Sequence, residues 1–260
     1  GTLLGDAQAA PLADAALKGL RGELHDGAHG GWYAGLNADG SVMPTKQCYA
    51  HAFVMLAASS ALLADRPGAR ELLDDALAVY DLRFWDEEEG LSRDTWDTDF
   101  TALDHYRGLN ANMHSVEAFL AVADATGDET YRLRAGRIID RVLDWARESG
   151  WRIPEHFSSD WVPQPELNRE RPDDPFKPYG ATPGHGIEWS RLITQWALSS
   201  GREQAAPYVE AAENLYITAV GDAWNADGAP GLVYTTDWTG KPVVHDRMHW
   251  TLAEAINTSA

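Results

Sequence analysis

The sequence contains almost no cysteine and no long apolar run. Cys48 is the single cysteine among 260 residues, so the chain cannot form an internal disulfide and suits a reducing compartment. No run of about 18 apolar residues is present, which excludes a membrane-spanning helix. The opening GTLLGDAQAAPLADAALKG lacks a basic segment followed by an apolar block, so we expect no signal peptide and a cytoplasmic protein.

Basic residues are also scarce. The chain has 21 Lys and Arg against 40 Asp and Glu, which gives a formal net charge of −19. This excess repels phosphates, so we expect neither nucleic acid nor an anionic membrane as a partner. We interpret most of the Asp and Glu side chains as a surface that keeps the protein soluble. An anionic small molecule could still bind, but only in a local basic pocket.

Several catalytic motifs are missing. There is no GxSxG elbow, no GxxxxGK[ST] loop and no GxGxxG between a strand and a helix. There is also no HExxH, no cysteine pair and no EF-hand loop, so we expect neither a metal nor a cofactor. A site of several histidines and a glutamate on a metal is the alternative. A carboxylate pair for glycoside hydrolysis is also left open, because Asp and Glu are abundant.

Four histidines recur at a nearly constant interval, each near the start of an apolar helical stretch. The intervals are 63, 71 and 64 residues. A repeat of this size fits two helices and their connections, and a ring of such hairpins would direct every histidine toward one axis. The four are His51 in CYAHAFVMLAASS, His114 in NANMHSVEAFLA, His185 in TPGHGIEWSRLI and His249 in DRMHWTLAEAI.

Apolar periodicity predicts eight helices and therefore an all-α chain. The even-numbered helices carry the histidines, and the pattern predicts that they are buried on both sides while the others keep one wet face. Long Gly/Trp/Asp-rich loops lead into the histidine helices; some read as short β-hairpins and would build a site there. The predicted helices are Pro11–Leu24, Lys46–Ala64, Gly68–Phe84, Asn110–Thr126, Asp128–Glu148, His185–Ser200, Arg202–Trp224 and one from Asp246 that is still running at Ala260.

His185 is the first candidate for chemistry. Glu188 follows it by three residues, so both side chains share one helix face. A carboxylate beside an imidazole can hold its tautomer and raise its pKa, which a general base requires. The alternative is that His185 only caps the helix N-terminus.

The other histidines are unequal. His114 has Glu117 three residues on and Asn110 one turn before it, a set suited to sugar hydroxyls, although an asparagine here could simply cap the helix. His249 has no acid at that spacing. His51 has no acidic residue after it in its helical stretch, and of the four histidines it is the one we expect to be structural.

The histidine motifs resemble the N-acylglucosamine 2-epimerase superfamily. The strings that carry the resemblance are spread over about 200 residues in family order. The resemblance implies an (α/α)6 barrel of twelve helices. The strings are KQCYAHAFVMLAASSAL, YRGLNANMHSVEAFLAVADATGD, FKPYGATPGHGIEWSRL and HDRMHWTLAEAI.

Within the superfamily the strings are most similar to the aldose–ketose isomerase branch, which includes mannose and sulfoquinovose isomerases. The resemblance implies a metal-independent enzyme that passes a proton between C2 and C1 of a monosaccharide through a cis-enediol. A 2-epimerase of the same fold, which returns the proton to the opposite face of C2, is the alternative. A glycoside hydrolase and a non-catalytic sugar binder are further alternatives, and a homo-oligomer is left open.

The resemblance also assigns residues. It implies that His185 is the catalytic acid/base and Glu188 its close partner. It makes Lys177, where the family pattern leads us to expect an arginine, a cation for an oxyanion or an acid group. The implied substrate-binding residues are Tyr49, Arg107, Asn110, His114, Lys177 and His249.

The chain is short for this fold. Twelve helices with their loops need roughly 300 residues or more, and we count eight here. We therefore expect residues 1–260 to be a single barrel domain cut at both ends, without the helix pair that carries the second catalytic histidine of the family.

Overall fold

The computed structural model describes residue 6, residues 8–201 and residues 205–259. Clustering of the chain by its internal contacts gives two compact units. Unit 1 comprises Gly1–Tyr106 and Ala111–Arg137, and unit 2 comprises Arg107–Asn110 and Ile138–Ala260. The single domain expected from the sequence stays a prediction.

The described residues form eight helices and a few short strands. None of these helices is both long and apolar enough to cross a bilayer. The helices are α1 (Ala9–Arg21), α2 (Cys48–Leu63), α3 (Ala69–Arg83), α4 (Leu109–Thr126), α5 (Glu129–Glu148), α6 (Pro183–Ser199), α7 (Ala206–Ala223) and α8 (His249–Ser259).

Most predicted helix boundaries lie within three residues of the observed ones, because the local signals act as expected. Gly127 (φ 76°) ends α4 in the left-handed conformation that glycine adopts without strain. Asp128 then caps α5, since its Oδ1 accepts the N–H of Thr130 at 2.9 Å. The predicted start of α7 at Arg202 and the predicted run of α8 to Ala260 lie outside the described residues.

The strands all belong to two-stranded antiparallel ribbons in the long loops. One of the loops read as a β-hairpin contains a turn at 37–40, around which Leu36 and Val42 form an antiparallel β-bridge. In unit 1, β1 (Thr45–Gln47) pairs with β4 (Thr95–Asp97) and β2 (Trp85–Asp86) with β3 (Leu91–Ser92); in unit 2, β5 (Arg107–Gly108) pairs with β6 (His156–Phe157) and β7 (Thr235–Thr236) with β8 (Pro242–Val244).

Unit 1 buries an ion pair beneath the loop that precedes β1. The Lys46 ammonium donates to Asp26 Oδ2 and to the Gly30 carbonyl, both at 2.9 Å, and lies 4.3 Å from the centroid of the Tyr33 ring. Lys46 is fully buried and Asp26 is 2% exposed. The pair therefore ties the loop to the strand that leads into α2.

In unit 2, α6 packs against both α7 and α8. Buried residues occur around α6, as expected for a histidine-bearing helix. On α8 only Thr251 is buried, so the expectation of burial on both sides is wrong for this helix. Leu252 and Ile256 are exposed, because within unit 2 only α6 packs extensively against α8.

Candidate active site

His185 is positioned by the glycines on either side of it. It is the third residue of α6, after Pro183 at the first helical position. A Cβ on Gly184 would lie 2.7 Å from both Trp250 and Thr251, and one on Gly186 would lie 3.2 Å from the Ala219 methyl. The absence of side chains at these two positions lets α8 and α7 approach the start of α6. The PGHG sequence thus places the imidazole between two neighbouring helices.

The imidazole of His185 is held by Glu155. Its Nδ1 lies 3.0 Å from Glu155 Oε1, and the two side chains are 15% and 5% exposed. Because a carboxylate accepts, Nδ1 carries the hydrogen and Nε2 is the nitrogen that remains for proton exchange. This arrangement of imidazole and buried carboxylate is the one that orients a general base.

Backbone contacts fix Glu155 in turn. Its carbonyl accepts the N–H of Leu109 at 3.1 Å, next to the β5–β6 pair. The adjacent His156 is buried and donates from Nε2 to the Pro178 carbonyl at 2.8 Å. Burial lowers the pKa of His156, which suits a neutral structural imidazole.

The charges around His185 decide its protonation. Burial by itself lowers its pKa, but the carboxylates of Glu155, Glu188 and Glu254 outweigh burial, so the pKa lies above its usual value. A pKa raised on folding means that these contacts stabilise the fold below the unfolded-state pKa. That stabilisation is lost as the pH rises through the folded-state value.

Glu188 lies one turn from His185 on α6 and is also buried. Its Oε1 lies 3.7 Å from the guanidinium of Arg191, which donates from Nε to Glu254 Oε2 at 3.0 Å. The charges of both Glu188, on the same helix, and Glu254, on α8, act on His185.

His249 itself is exposed at the first position of α8. The residue after it makes the contact with the site: the Trp250 ring lies 5.3 Å from the His185 ring, centroid to centroid. The Tyr234 ring lies 6.4 Å from the Trp250 ring, centroid to centroid, in an edge-to-face arrangement. The role expected for His249 stays a prediction.

The β5 segment brings two of the predicted binding residues into unit 2. Arg107 is buried and pairs in register with Phe157, two residues after Glu155 in the chain. Asn110 is the second residue of α4, and its Oδ1 is buried with no hydrogen-bond partner among the described residues. Such an acceptor is costly to bury alone, so a donor from a ligand would satisfy it.

Lys177 is half-buried in the loop before α6. Its backbone is held at both ends, because its carbonyl accepts Asn168 Nδ2 at 2.6 Å and its N–H donates to Asp174 Oδ1 at 2.9 Å. These two hydrogen bonds therefore fix the position of the Lys177 backbone in the loop.

Unit 1 gathers the remaining predicted residues. His114 Nδ1 lies 3.2 Å from Glu117 Oε2, as the spacing predicts. The Tyr49 ring meets His114 edge to face at 5.0 Å, and Phe53 lies 4.7 Å from it. Tyr49 and Phe53 are 41% and 37% exposed, so they form an accessible aromatic surface beside the imidazole.

His51 is structural, as predicted. It is fully buried; Nδ1 donates to the Gln47 carbonyl at 2.8 Å, and Nε2 accepts the N–H of Trp32 at 3.0 Å. Burial lowers its pKa to about 4. Both nitrogens are in use, so this histidine has no lone pair left for chemistry.

Asn112 also has a structural role. Its side-chain amide forms two hydrogen bonds with the backbone of Ser92, at 2.8 and 3.1 Å, and it is fully buried. Asn112 therefore ties α4 to β3.

Comparison with known proteins decides the family. A profile of the N-acylglucosamine 2-epimerase (GlcNAc 2-epimerase) family matches residues 1–260. The chain belongs to the N-acylglucosamine 2-epimerase family. The family resemblance of the four motifs is thereby confirmed.

Among relatives of this epimerase-family chain are two bacterial D-mannose isomerases. The protein of Pseudomonas cannabina pv. alisalensis is 46% identical over 256 residues, which cover 96% of this chain and 61% of the relative. That of Thermobifida fusca is 47% identical over 255 residues, which cover 97% and 62%. The chain thus spans about three-fifths of the length of these relatives.

A crystal structure of a D-mannose isomerase has the same fold as this chain. The TM-score is 0.86 at 28% identity, and the match covers 96% of this chain and 64% of that one. The predicted fold class, an all-α chain of the (α/α)6-barrel family with short strands in its loops, is confirmed.

Three residues that contact His185 or Glu188 were missed from the sequence. Glu155 lies thirty residues before His185, in a loop without periodicity, so no spacing rule links the two. Trp250 was quoted in its motif but passed over for the adjacent histidine. Arg191 follows Glu188 by three residues, which is the same helical spacing that linked His185 to Glu188 and could have identified it.

Proposed function

We propose that the protein is an aldose–ketose isomerase that interconverts D-mannose and D-fructose. His185 takes the proton from C2 of the open-chain aldose and returns it to C1 through a cis-enediol. The observation that carries this proposal is the buried His185–Glu155 pair, 3.0 Å apart, which orients one imidazole nitrogen toward exchange.

Glu188 is suited to the second proton of the reaction. Conversion of an aldose to a ketose also moves a hydroxyl proton from O2 to O1. A buried carboxylate one turn from His185 can accept it from one oxygen and return it to the other. His185 would thus transfer the proton between the two carbons, and Glu188 would transfer the proton between the two oxygens.

Polar residues of unit 2 would hold the sugar. In unit 2, the unpartnered Asn110 Oδ1 supports binding of a hydroxyl donor. Arg107, Lys177 and His249 extend this role to further hydroxyl oxygens. In unit 1, the exposed Tyr49 ring beside His114 is by itself suited to stack on a sugar ring.

The names of the two bacterial relatives support mannose as the substrate. The three carboxylates near His185 also favour a neutral sugar, because a sulfonate there would meet like charge. The family description favours a second candidate, a 2-epimerase, which shares the deprotonation of C2 and differs in where the proton returns.

The test is product analysis with the full-length gene product that contains this sequence. Incubation with C2-deuterated mannose should yield fructose with part of the deuterium at C1. Glucose as the main product would favour the epimerase, and a lack of either product would overturn both. Sulfoquinovose is the comparison substrate, and we expect slow or no turnover of it.

The proposal includes a metal-independent enzyme that works in the reducing cytoplasm. Proton transfer between the imidazole and two carbons needs no Lewis acid when hydroxyl and enediol oxygens are bound by side chains. Activity in excess EDTA should equal that in buffer alone, and a loss restored by a divalent cation would contradict this part.

Glu155→Gln should shift the pH profile of the isomerase to lower pH. The glutamine still accepts from Nδ1 but carries no charge, so burial lowers the pKa of His185 with less opposition. The acidic limb of kcat/KM against pH should therefore move down, while kcat falls about tenfold because the base is weaker.

Glu166→Gln is the matched control for this variant. Glu166 forms an exposed ion pair with Arg169 in unit 2, so its profile should match that of the parent enzyme. An acidic limb that stays in place in Glu155→Gln would contradict the assignment of that limb to His185.

A further inference from the structure

A charged contact joins α6 to α8 one turn beyond Glu188. Arg191 donates from Nε to Glu254 Oε2 at 3.0 Å and from Nη1 to Gln195 Oε1 at 3.4 Å. Its Nη2 lies 3.7 Å from Glu188 Oε1. The side chains of Arg191 and Glu188 are 11% and 6% exposed, so the contact is largely shielded from water.

Two carboxylates meet this one guanidinium. Without a cation, the carboxylates of Glu188 and Glu254 would repel each other in a partly buried setting. The planar guanidinium offers several donors in fixed directions, so it can bind Glu254 and still face Glu188. Since Glu254 lies on a different helix, it fixes Arg191 from outside α6.

We propose that Arg191 is a positioning residue for the isomerase reaction, anchored by Glu254 so that its guanidinium keeps Glu188 an oriented carboxylate beside His185. The inference rests on the proposed function, because it gives Arg191 its task through Glu188. Arg191 itself touches no reacting atom in this scheme. Its substitution should therefore change kcat and the pH profile more than KM.

The direction of the pH effect follows from the groups around His185. Loss of the Arg191 cation makes Glu188 easier to protonate and His185 harder to deprotonate, and both effects move the acidic limb to higher pH. Loss of the Glu254 charge acts in the opposite direction. Among the described residues of unit 2, the charged groups that act on His185 include Glu155 from the loop before α6, Glu188 from α6 and Glu254 from α8, and Arg191 contacts the last two. His156 and Lys177 lie in the same loop region, where Lys177 and His185 both act on the charge of His156.

The experiment compares Arg191→Gln, Arg191→Lys and Glu254→Gln in the full-length protein. Arg191→Gln should lower kcat by roughly tenfold to a hundredfold, which is less than the loss expected for removal of a general base. It should also shift the acidic limb of the kcat/KM profile to higher pH. Arg191→Lys keeps the charge, so the limb should stay near that of the parent and kcat should partly recover. Glu254→Gln should move the limb down.

Arg147→Gln is the matched control, because it removes an arginine from an exposed i,i+3 ion pair with Asp144 on α5. It should leave both kcat and the profile unchanged. A purely structural role of Arg191 would lower the melting temperature and kcat without moving the acidic limb. That result, or equal limbs in Arg191→Gln and Glu254→Gln, would overturn the proposal.

An NMR titration separates this inference from the proposed function. The His185 Cε1–H resonance, assigned by its absence in His185→Asn, should titrate at higher pH in Arg191→Gln than in the parent and at lower pH in Glu254→Gln. These shifts need no turnover. If mannose proves not to be a substrate, the titration still decides the role of Arg191: unchanged His185 titration in both variants would refute it.

Discussion

His185→Ala in the full-length protein should lower kcat for the proposed mannose–fructose interconversion by roughly 10²- to 10⁴-fold, the range for removal of a general acid or base. This corresponds to about 3–5 kcal/mol of transition-state stabilisation. The reason is that, of the histidines described in unit 2, His185 is the one that combines a buried carboxylate at Nδ1 with an Nε2 left for exchange. The assay is initial-rate formation of fructose from mannose, with kcat and KM fitted separately.

The matched control is His105→Ala, since His105 is exposed in a loop of unit 1. Its kcat should equal that of the parent. Circular dichroism and melting curves of both variants check that the fold is retained. A His185→Ala enzyme that turned over mannose as fast as its parent would remove His185 from the mechanism.

Lys46→Met should lower the free energy of unfolding at pH 7 by about 3–5 kcal/mol, the cost of removing one partner from a buried ion pair. The substitution leaves the Asp26 carboxylate 2% exposed without its cation, next to the Gly30 carbonyl that also loses a donor. Urea denaturation followed by tryptophan fluorescence measures the change.

The pH dependence of this loss has a definite sign. Burial raises the pKa of Asp26, but Lys46 and the N–H groups of Ala28 and His29 outweigh it and hold the pKa well below its usual range. The parent therefore keeps the stabilisation of an ionised Asp26 above the unfolded-state pKa and loses it only in strong acid. In Lys46→Met the carboxyl takes up a proton sooner, so the two proteins should differ less near pH 4 than at pH 7.

Arg70→Met tests whether burial is the cause. Arg70 forms an exposed i,i+4 pair with Asp74 on α3, at 3.7 Å, and its loss should cost less than about 1 kcal/mol. If Lys46→Met were no more destabilising than Arg70→Met, the pair at Lys46 would not be the stabilising contact described here.

Helices and their histidines could be predicted because their signals are local. The apolar period defined α2 and α6, and Gly127 with Asp128 marked a boundary between two helices. The i,i+3 spacing placed Glu188 beside His185 and Glu117 beside His114, since a helix converts sequence distance into spatial distance. The structural assignment of His51 followed from the lack of an acid nearby.

The partners of these side chains across elements were beyond sequence reasoning. Glu155 reaches His185 only because β5–β6 pairing and the His156–Pro178 contact fix a loop with no period of its own. Which side chain of a motif faces the site also could not be predicted from the sequence. His249 and Trp250 are adjacent, but it is the Trp250 ring that contacts His185 while His249 is exposed. Such contacts depend on how loops return to the helices.

The four residues from Arg107 to Asn110 belong to unit 2, although the chain on either side of them belongs to unit 1. Unit 2 therefore includes strand β5, with Arg107 and the Asn110 acceptor, although this segment lies between two sequence segments of unit 1. A gene rearrangement that carried residues 138–260 alone would leave β6 without its partner strand and Glu155 without the Leu109 hydrogen bond. A fragment that begins after residue 110 would therefore lack contacts on which the loop around Glu155 depends.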